Sequence, residues 1–372
     1  MKIALIATHH VDYVASLAME LAKRHEILLV ISRRSTGRQI RVESLKDIGE
    51  RVSLKVVPHH YAPIQPWIAL CCHRWVRDFV PDIVHVQEHP TRSTGLLARW
   101  LNGAVPLITT VHDPNPHSGN DARAARTYER YNHGLRRRSD GLIVHGHSLI
   151  DDLAAAGVQR LRIAAIPHGV LYFGRHGEVA APDAKPDPRR LIFFGRMQAY
   201  KGLDTLLAAH AIWREWGTDI GLTIAGKGPE LARYRSALSA PGIDLHAGHI
   251  SQVRLEAMVR GCAAAILPYH DATQSGVVAS AFGAERPVIV TDVGELAAAT
   301  GAGGLVVPPR DPLALAEAGR RIVEEAGLLA RLEAGVKDRV EGELSWADIA
   351  GRTEEFYRAT IAGHRASGSG RQ

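Results

Sequence analysis

The 372-residue chain contains few cysteines, namely Cys71, Cys72 and Cys262. Three cysteines, two of them adjacent, cannot form a disulfide framework, which indicates a reducing compartment. No apolar run approaches the ~18 residues needed to cross a bilayer. The segment Met1–Ala7 is too short for a signal peptide and runs directly into patterned sequence. We therefore expect a cytoplasmic protein, peripheral at the inner face of the membrane if it contacts lipid at all.

The sequence also lacks the carboxylate motif Asp-x-Asp, the usual seat of a divalent cation that bridges a bound nucleotide. Its 20 histidines suggest zinc as an alternative. However, no cysteine or glutamate stands at ligand spacing near His9-His10, His59-His60 or His145-Gly146-His147. The sequence therefore predicts no metal site and no cofactor.

The formal net charge of +6 favours anionic partners. The densest basic segment is Arg136-Arg137-Arg138, which follows an arginine-rich stretch over 123–130. This segment is either a solvated helix face or a contact for an anionic membrane surface or lipid-diphosphate acceptor. No base-stacking aromatic residues are interleaved with it, so we expect no nucleic-acid partner, although a basic nucleic-acid-binding protein stays an alternative.

Apolar strands alternate with helical patterns along the whole chain, which is typical of parallel α/β sheets. The length suits two domains. The predicted strands of the first half are 3–7, 27–31, 54–57, 83–86, 107–111, 142–144 and 163–166. Those of the second half are 191–194, 222–225, 244–246, 264–267, 288–290 and 305–307. The sequence predicts two doubly wound sheets.

Composition also sets the predicted domain boundaries. We expect residues 1–173 to form an N-terminal domain and residues 191–345 to form a C-terminal domain. Residues 174–190 are rich in Gly and Pro without apolar periodicity, which indicates a linker. The last three predicted helices span 312–325, 328–340 and 346–361. We expect the tail 363–372 to be disordered.

The most informative segment is Phe193–Gly202. A short apolar strand is expected to stop at Gly195, and a helix is expected to begin at Leu203. Arg196 and Lys201 then lie around one spot, where a guanidinium and an ammonium can hold two phosphates without a metal. The alternative is a surface turn with two solvated charges.

Three further segments of the second half also lie at junctions between predicted strands and helices. They are Gly226–Glu230, Asp271–Val277 and Arg286–Gly294. Their order resembles the nucleotide-sugar domain of the retaining GT-B glycosyltransferases of family four, in which Gly-Arg-x-x-x-x-Lys-Gly holds the donor diphosphate. Ile166–Val170 and Ser345-Trp346 extend the resemblance over nearly the whole chain.

The resemblance implies a GT-B fold, with two facing Rossmann-like domains and a cleft between them. It implies that the N-terminal domain, 1–173, binds the acceptor and that the C-terminal domain, 191–345, binds the nucleotide sugar. It implies a metal-independent, retaining transferase that moves a sugar from a nucleoside-diphosphate sugar, UDP or GDP, to a hydroxyl acceptor. The acceptor is lipid-linked or a small-molecule glycoside, as in polysaccharide, glycolipid or natural-product synthesis. It also implies that helix 346–362 crosses back to the first domain. A catalytically inactive nucleotide-sugar binder is the alternative.

Ligands of open α/β sheets bind beyond the carboxyl ends of the strands, so residues there are the site candidates. For the donor these are Gly195, Gly226, His249, Ile250, Thr273, Gln274, Ser275, Gly276 and Val277. Ser275 and Gly276 open a helix whose unpaired N–H groups suit a phosphate, although Ser275 could equally be a simple N-cap. Arg196 and Lys201 stabilise the departing diphosphate.

Acceptor-side candidates come from the first half. They are His9, His10, His112, Asp113 and His145. The order Thr-Val-His-Asp resembles the acceptor-side motif of the family, so His112 is the third catalytic candidate, with Asp113 orienting it. A loop histidine with ordinary hydrogen bonds is the alternative.

The sequence departs from the family at two places. Glycines often follow the first strand in the family, where this chain has His9-His10. Two glutamates eight positions apart usually flank the donor turn, and here Ala272 and Ser280 stand instead. The segment Thr273–Val277 resembles a Thr-Gln-Ser-Gly-Val branch of the family. The missing carboxylates leave open how the ribose and the donor sugar are held.

Overall fold

The computed structural model describes residues 1–58, 62–89, 91–114, 130–176 and 185–369. The chain divides into two compact units. Unit 1 comprises Met1–Gly169, Gly174–Val179 and Trp346–Gln372, and unit 2 comprises Val170–Phe173 and Ala180–Ser345. The predicted segments 59–60, 115–117 and 123–129 lie outside the described residues, as does part of the predicted linker.

All thirteen predicted strands are present, each within a few residues of its predicted bounds. Unit 1 contains β1 (Lys2–Ala7), β2 (Glu26–Ser32), β3 (Ser53–Val57), β4 (Ile83–Gln87), β5 (Leu107–Thr110), β6 (Gly141–Val144) and β7 (Ile163–Ala165). Unit 2 contains β8 (Asp187–Arg196), β9 (Gly221–Lys227), β10 (Ile243–Ala247), β11 (Cys262–Leu267), β12 (Val288–Thr291) and β13 (Gly304–Val307).

Each unit is built on one parallel sheet. The seven-stranded sheet of unit 1 has the order β3-β2-β1-β4-β5-β6-β7, and the six-stranded sheet of unit 2 has the order β10-β9-β8-β11-β12-β13. Central strands such as β4 and β11 are buried along their whole length. Strands buried on both faces read as continuous apolar runs, which is why the sequence locates them well. The predicted pair of doubly wound sheets, the GT-B arrangement, is confirmed.

Helices connect successive strands and cover the sheets. In unit 1 they are α1 (Val11–Leu21), α2 (Arg33–Gln39), α3 (Val42–Arg51), α4 (Gln65–Phe79), α5 (Arg92–Leu101) and α6 (Ser148–Ala155), besides a helical segment over 130–138. In unit 2 they are α7 (Leu203–Glu215), α8 (Pro229–Arg233), α9 (Gln252–Arg260), α10 (Gly276–Gly283), α11 (Leu296–Thr300), α12 (Pro312–Glu324) and α13 (Leu328–Glu341). None of the helices within the described ranges is long and apolar enough to cross a membrane.

The C-terminal helix α14 (Trp346–Ser369) packs within unit 1. The Tyr357 hydroxyl lies 2.6 Å from His85 Nδ1, and Arg24 donates to the Glu354 carboxylate at 3.1 Å. A Cβ on Gly141 would lie 2.8 Å from the Phe356 ring. The helix continues to Ser369, so the prediction that it ends near residue 361 and gives way to a disordered tail at 363 was wrong for 363–369.

The predicted linker 174–190 is also shorter than expected. Asp187–Arg190 begins strand β8, because these polar residues pair with Gly221 and Cys262 of the neighbouring strands. At the other end, the Gly174 carbonyl accepts from the Arg41 N–H at 2.9 Å, and the His176 N–H donates to Ser44 Oγ at 3.0 Å. The predicted linker therefore includes residues that belong to strand β8 at one end and residues hydrogen-bonded to unit 1 at the other.

Candidate active site

The predicted donor-side residues lie at the carboxyl ends of four adjacent strands of unit 2, β10, β9, β8 and β11. The sequence predicted that strand β8 stops at Gly195, but the strand continues through Arg196. Gly195 pairs with Gly226, and a Cβ on Gly226 would lie 1.9 Å from the Gly195 carbonyl oxygen. These glycines therefore allow the two strand ends to approach closely.

Lys201 is the most unusual side chain of this region. It is 6% exposed, and its ammonium donates to the Tyr269 hydroxyl at 2.6 Å and lies 4.4 Å from the centre of the Tyr269 ring. Burial, with a smaller contribution from nearby Arg196, lowers the pKa of Lys201 to about 7. Within the described part of the chain, Lys201 has no carboxylate partner. A buried ammonium without a counter-charge is costly unless an anion binds beside it.

Tyr269 connects the lysine to the start of helix α10. Its hydroxyl forms a hydrogen bond with the Ser275 side chain, and Ser275 Oγ accepts from the Val277 N–H at 3.2 Å. Ser275 is thus the N-cap of α10, the alternative that the sequence left open. A Cβ placed on Gly195 would lie 3.7 Å from Lys201 Nζ and 3.6 Å from the Val277 side chain. The strand end, the lysine and the helix start therefore converge.

The remaining donor candidates occupy the same edge of the sheet. Thr273 is buried, and the half-buried Gln274 carries a buried amide oxygen without a hydrogen-bond partner in the described residues. His249 is exposed and Ile250 is half-buried, in the loop after β10. Gly248 donates to the Gly226 carbonyl at 2.8 Å, which brings this loop beside the Gly226 turn.

At both positions where the sequence departs from the family, the structure shows a small side chain packed against its surroundings. Ala272 is buried, and the Ser280 hydroxyl donates to the Gly276 carbonyl at 2.8 Å, one turn back along α10. Neither residue supplies a charge. Tyr269, two residues after β11, lies in the predicted candidate segment 269–276, but the sequence assigned it no individual role.

In unit 1, the acceptor-side candidates form part of a cluster of aromatic rings. His112 stacks on His10 with ring centres 3.7 Å apart and lies 4.8 Å from the ring of His145. His9 lies 4.4 Å from His89. Asp113 is exposed beside His112. The sheet order brings these rings together, because they follow β1, β4, β5 and β6 at one edge.

His112 is buried deeper than the predicted role requires. It is 2% exposed, with Nε2 2.9 Å from Gln87 Oε1 and Nδ1 3.2 Å from His145 Nε2. Burial, and then the neighbouring His10, lowers the pKa of His112 well below its ordinary value. A ligand hydroxyl could reach a ring nitrogen only by displacing Gln87 or His145. Contact of His112 with the sugar or the acceptor stays a prediction.

His10 explains the departure from the family after the first strand. It adopts a left-handed conformation, with φ of 53° and ψ of 40°. This is the backbone region that glycine enters without strain. His10 thus adopts a backbone conformation that a glycine would adopt readily, and its ring stacks against His112.

The basic segment after residue 130 also differs from expectation. Arg136 is 9% exposed, and its guanidinium donates twice to the Glu88 carboxylate, at 2.6 and 2.7 Å. A bidentate buried pair of this kind holds the arginine in place. Arg136 is therefore not available to an anionic surface, whereas Arg137 and Arg138 are exposed.

The comparisons with known proteins agree with this arrangement. Residues 11–170 match the family described as Glycosyltransferase Family 4, and residues 188–325 match Glycosyl transferases group 1. The chain is a family 4 glycosyltransferase of group 1. It is thus a glycosyl-transferring enzyme of class EC 2.4, as the sequence predicted.

Relatives of known name are distant. A glycogen synthase of Mycobacterium tuberculosis (strain H37Rv) is 28% identical over 305 residues, covering 78% of this chain and 71% of the relative. The D-inositol 3-phosphate glycosyltransferase 1 of Catenulispora acidiphila is 27% identical over 311 residues, covering 76% and 73%.

Solved structures share the fold at low identity. Sucrose-phosphate synthase from Thermosynechococcus elongatus superposes with a TM-score of 0.73 at 17% identity, covering 98% of this chain and all of that one. Anabaena Alr3699/HepE in complex with UDP gives a TM-score of 0.68 at 13% identity, covering 96% of this chain and all of that one. At such identities the likeness shows the GT-B fold alone.

Proposed function

We propose that this glycosyltransferase binds the diphosphate of a nucleotide sugar at Lys201, Arg196 and the start of helix α10. The observation that carries the proposal is the buried Lys201 ammonium, which has a tyrosine hydroxyl and a neighbouring cation beside it but no carboxylate in the described residues. A bound diphosphate would supply the missing negative charge.

The same groups explain how transfer occurs. Breaking the bond between the anomeric carbon and the phosphate leaves negative charge on the departing diphosphate, which the two cations and the α10 N–H groups stabilise. The acceptor hydroxyl attacks from the same face and gives its proton to the leaving phosphate. Retention of configuration rests on the family resemblance, as does the absence of a divalent cation from this step.

The relatives suggest which nucleotide and acceptor to test first. Alr3699/HepE has been crystallised with UDP and with UDP-glucose. The named relatives include a glycogen synthase and D-inositol 3-phosphate glycosyltransferases, and both names refer to compounds rich in hydroxyl groups. We therefore propose UDP-glucose as the first donor and polyhydroxylated acceptors as the first acceptor class.

A thermal-shift series with UDP, GDP, ADP and TDP tests the site. A ligand at about 100 times its dissociation constant adds ~2.7 kcal/mol to the unfolding free energy. We expect one nucleotide to stabilise the wild type and the Lys337→Ala control, whose lysine is exposed on α13, but not Lys201→Ala. Equal stabilisation of Lys201→Ala would contradict the diphosphate site. Stabilisation without diphosphate release from any nucleotide sugar would favour an inactive binder.

We propose that helices α4 and α5, rather than Arg136, form the surface that contacts an anionic membrane. Trp67 and Leu70 are 53% and 43% exposed on α4, and Trp100 is 38% exposed on α5. Arg74 and Arg77 are exposed on α4. Aromatic and basic side chains on one helix surface suit an anionic interface. Sedimentation with anionic vesicles should be lost in Trp67→Ala and kept in the exposed-residue control Val42→Ala, and equal sedimentation of both variants would exclude this surface.

A further inference from the structure

Three histidines of unit 1 point their ring nitrogens at a common centre. His112, His145 and His168 follow the adjacent strands β5, β6 and β7, and one nitrogen from each lies within 4.8 Å of the others. His112 and His145 are buried, whereas His168 is half-buried and leaves one side of the group accessible. Adjacent parallel strands ending at one edge bring the three rings together.

Each of these histidines has its second nitrogen held by an oxygen. His145 Nδ1 lies 3.0 Å from the Ile166 carbonyl, and His168 Nδ1 lies 2.7 Å from the Gly169 carbonyl. A carbonyl oxygen accepts and never donates, so both Nδ1 atoms carry the proton. In the neutral rings, Nε2 of His145 and Nε2 of His168 are therefore lone-pair atoms.

The third ring is held through a chain of side chains. His112 Nε2 lies 2.9 Å from Gln87 Oε1, and the Gln87 amide nitrogen lies 3.3 Å from His85 Nε2. His85 Nε2 also lies 2.7 Å from Thr110 Oγ1, and it accepts from that hydroxyl when it accepts from the amide. In this orientation the Gln87 oxygen faces His112 and accepts the proton on Nε2. His112 Nδ1 is then also a lone-pair atom, and it faces His145 Nε2 at 3.2 Å.

Two facing lone pairs at this distance repel, and either a proton or a metal ion between them removes the repulsion. Ligands at ~2.05 Å on a tetrahedral zinc ion lie about 3.3 Å apart, close to the 3.2 Å between His112 Nδ1 and His145 Nε2. The three ligand nitrogens as a group lie within 4.8 Å of one another, so a bound ion would draw them closer together. Zinc-ligating histidines almost always donate their other N–H to a carbonyl or carboxylate oxygen, as all three rings do here. We propose that His112, His145 and His168 bind one divalent metal ion, with zinc as the fitting ion and one position open to water or a ligand oxygen.

The surroundings suit such a site. Tyr13 packs its ring 5.5, 5.1 and 5.0 Å from the rings of His112, His145 and His168, and Trp346 lies 5.2 Å from Tyr13. This aromatic shell shields one side of the three histidines from water. The three histidines belong to unit 1, and the metal proposal does not depend on the proposed function.

Metal analysis of the purified full-length protein tests the proposal directly. We expect about one zinc per chain after dialysis, and we expect cobalt added to the metal-free protein to give the visible absorption of a four- or five-coordinate ion. His168→Ala and His145→Ala should each lower zinc affinity by about 100-fold or more, beyond the 10- to 100-fold typical of losing an outer partner. His147→Ala is the matched control, since His147 is exposed and two residues from His145.

Circular dichroism of each variant separates loss of metal from loss of fold. A variant that keeps the wild-type near-ultraviolet spectrum but loses zinc supports the site. A wild-type protein that binds neither zinc nor cobalt overturns it, as does a folded His168→Ala that binds zinc as tightly as His147→Ala. The three rings would then share protons in a hydrogen-bonded cluster.

Discussion

The ammonium nitrogen of Lys201 lies 2.6 Å from the hydroxyl oxygen of Tyr269, and that hydroxyl also bonds the N-cap residue Ser275 of helix α10. A cation, a phenol and a helix N-terminus are thus joined in one hydrogen-bonded series. Lys201 and the N-terminus of α10 together create a positive potential, and we expect the leaving diphosphate to bind there.

Removing either cation should impair catalysis more than folding. We expect Arg196→Ala and Lys201→Ala each to weaken nucleotide binding and to reduce turnover by a factor on the order of 100 or more, because each loses a charge-assisted contact to the leaving group. Initial rates of nucleoside-diphosphate release measure this, with Lys337→Ala as the control. Wild-type rates in both variants would refute the assignment.

Nucleotide affinity should depend on pH through Lys201. Its pKa is lowered from the ordinary value of 10.5 to about 7, so the unliganded lysine loses its charge as pH rises through 7. Affinity for a nucleoside diphosphate should therefore fall above pH 7, by up to about tenfold per pH unit. Lys201→Arg keeps its charge, so its affinity should change little over the same range, as titration calorimetry can show.

The lowered pKa of Lys201 also predicts the direction in which the unfolding free energy changes with pH. Between pH 7 and 10.5 the unfolded chain binds a proton at Lys201 that the folded chain does not, so this group makes the unfolding free energy rise with pH in that window. Subtracting the denaturant-unfolding profile of Lys201→Met from that of the wild type isolates the contribution. A contribution that falls with pH would contradict the buried, unpaired lysine.

Sugar transfer should proceed without added magnesium or manganese. Arg196, Lys201 and the start of α10 supply the positive charge that a bridging cation would otherwise provide. We expect equal rates with and without either ion for protein used as purified. A rate that requires added magnesium or manganese would show that the leaving group is held differently.

Ser280→Glu tests how the donor site differs from that of the family. Ser280 is half-buried and donates to the Gly276 carbonyl, so a larger carboxylate must displace that contact. We expect lower stability and weaker nucleotide binding, because the added charge is buried without a partner. Binding that tightens by ~1 to 3 kcal/mol at an unchanged melting temperature would instead indicate an ordinary ribose pocket.

Gly141→Ala tests the packing of the C-terminal helix in unit 1. The new Cβ would lie 2.8 Å from two atoms of the Phe356 ring, an overpacking that costs about 1 to 3 kcal/mol. Gly49→Ala is the control, since its Cβ would lie 3.8 Å from Leu54 inside helix α3. Thermal unfolding should show a lower melting temperature for the first variant and not for the second. Equal melting temperatures would mean that α14 does not pack there as described.

The sequence by itself determined the strands, the two parallel sheets and the convergence of Arg196 with Lys201. Strands buried on both faces must be continuous apolar runs, and a strand end followed by a helix start fixes where residues five apart can lie. These are local consequences of the chain, so periodicity and spacing suffice to predict them.

Tertiary structure decided which side chains are buried and what they contact. His112, His145 and His168 stand 33 and 23 residues apart, so no ligand spacing could reveal them; the order of β5, β6 and β7 in the sheet brings them together. Arg136 lies in a run of arginines, yet its side chain is buried and bonded to Glu88. Lys201 is buried against Tyr269 and bonded to its hydroxyl. Burial and long-range pairing depend on the packing of distant segments, which a local pattern does not contain.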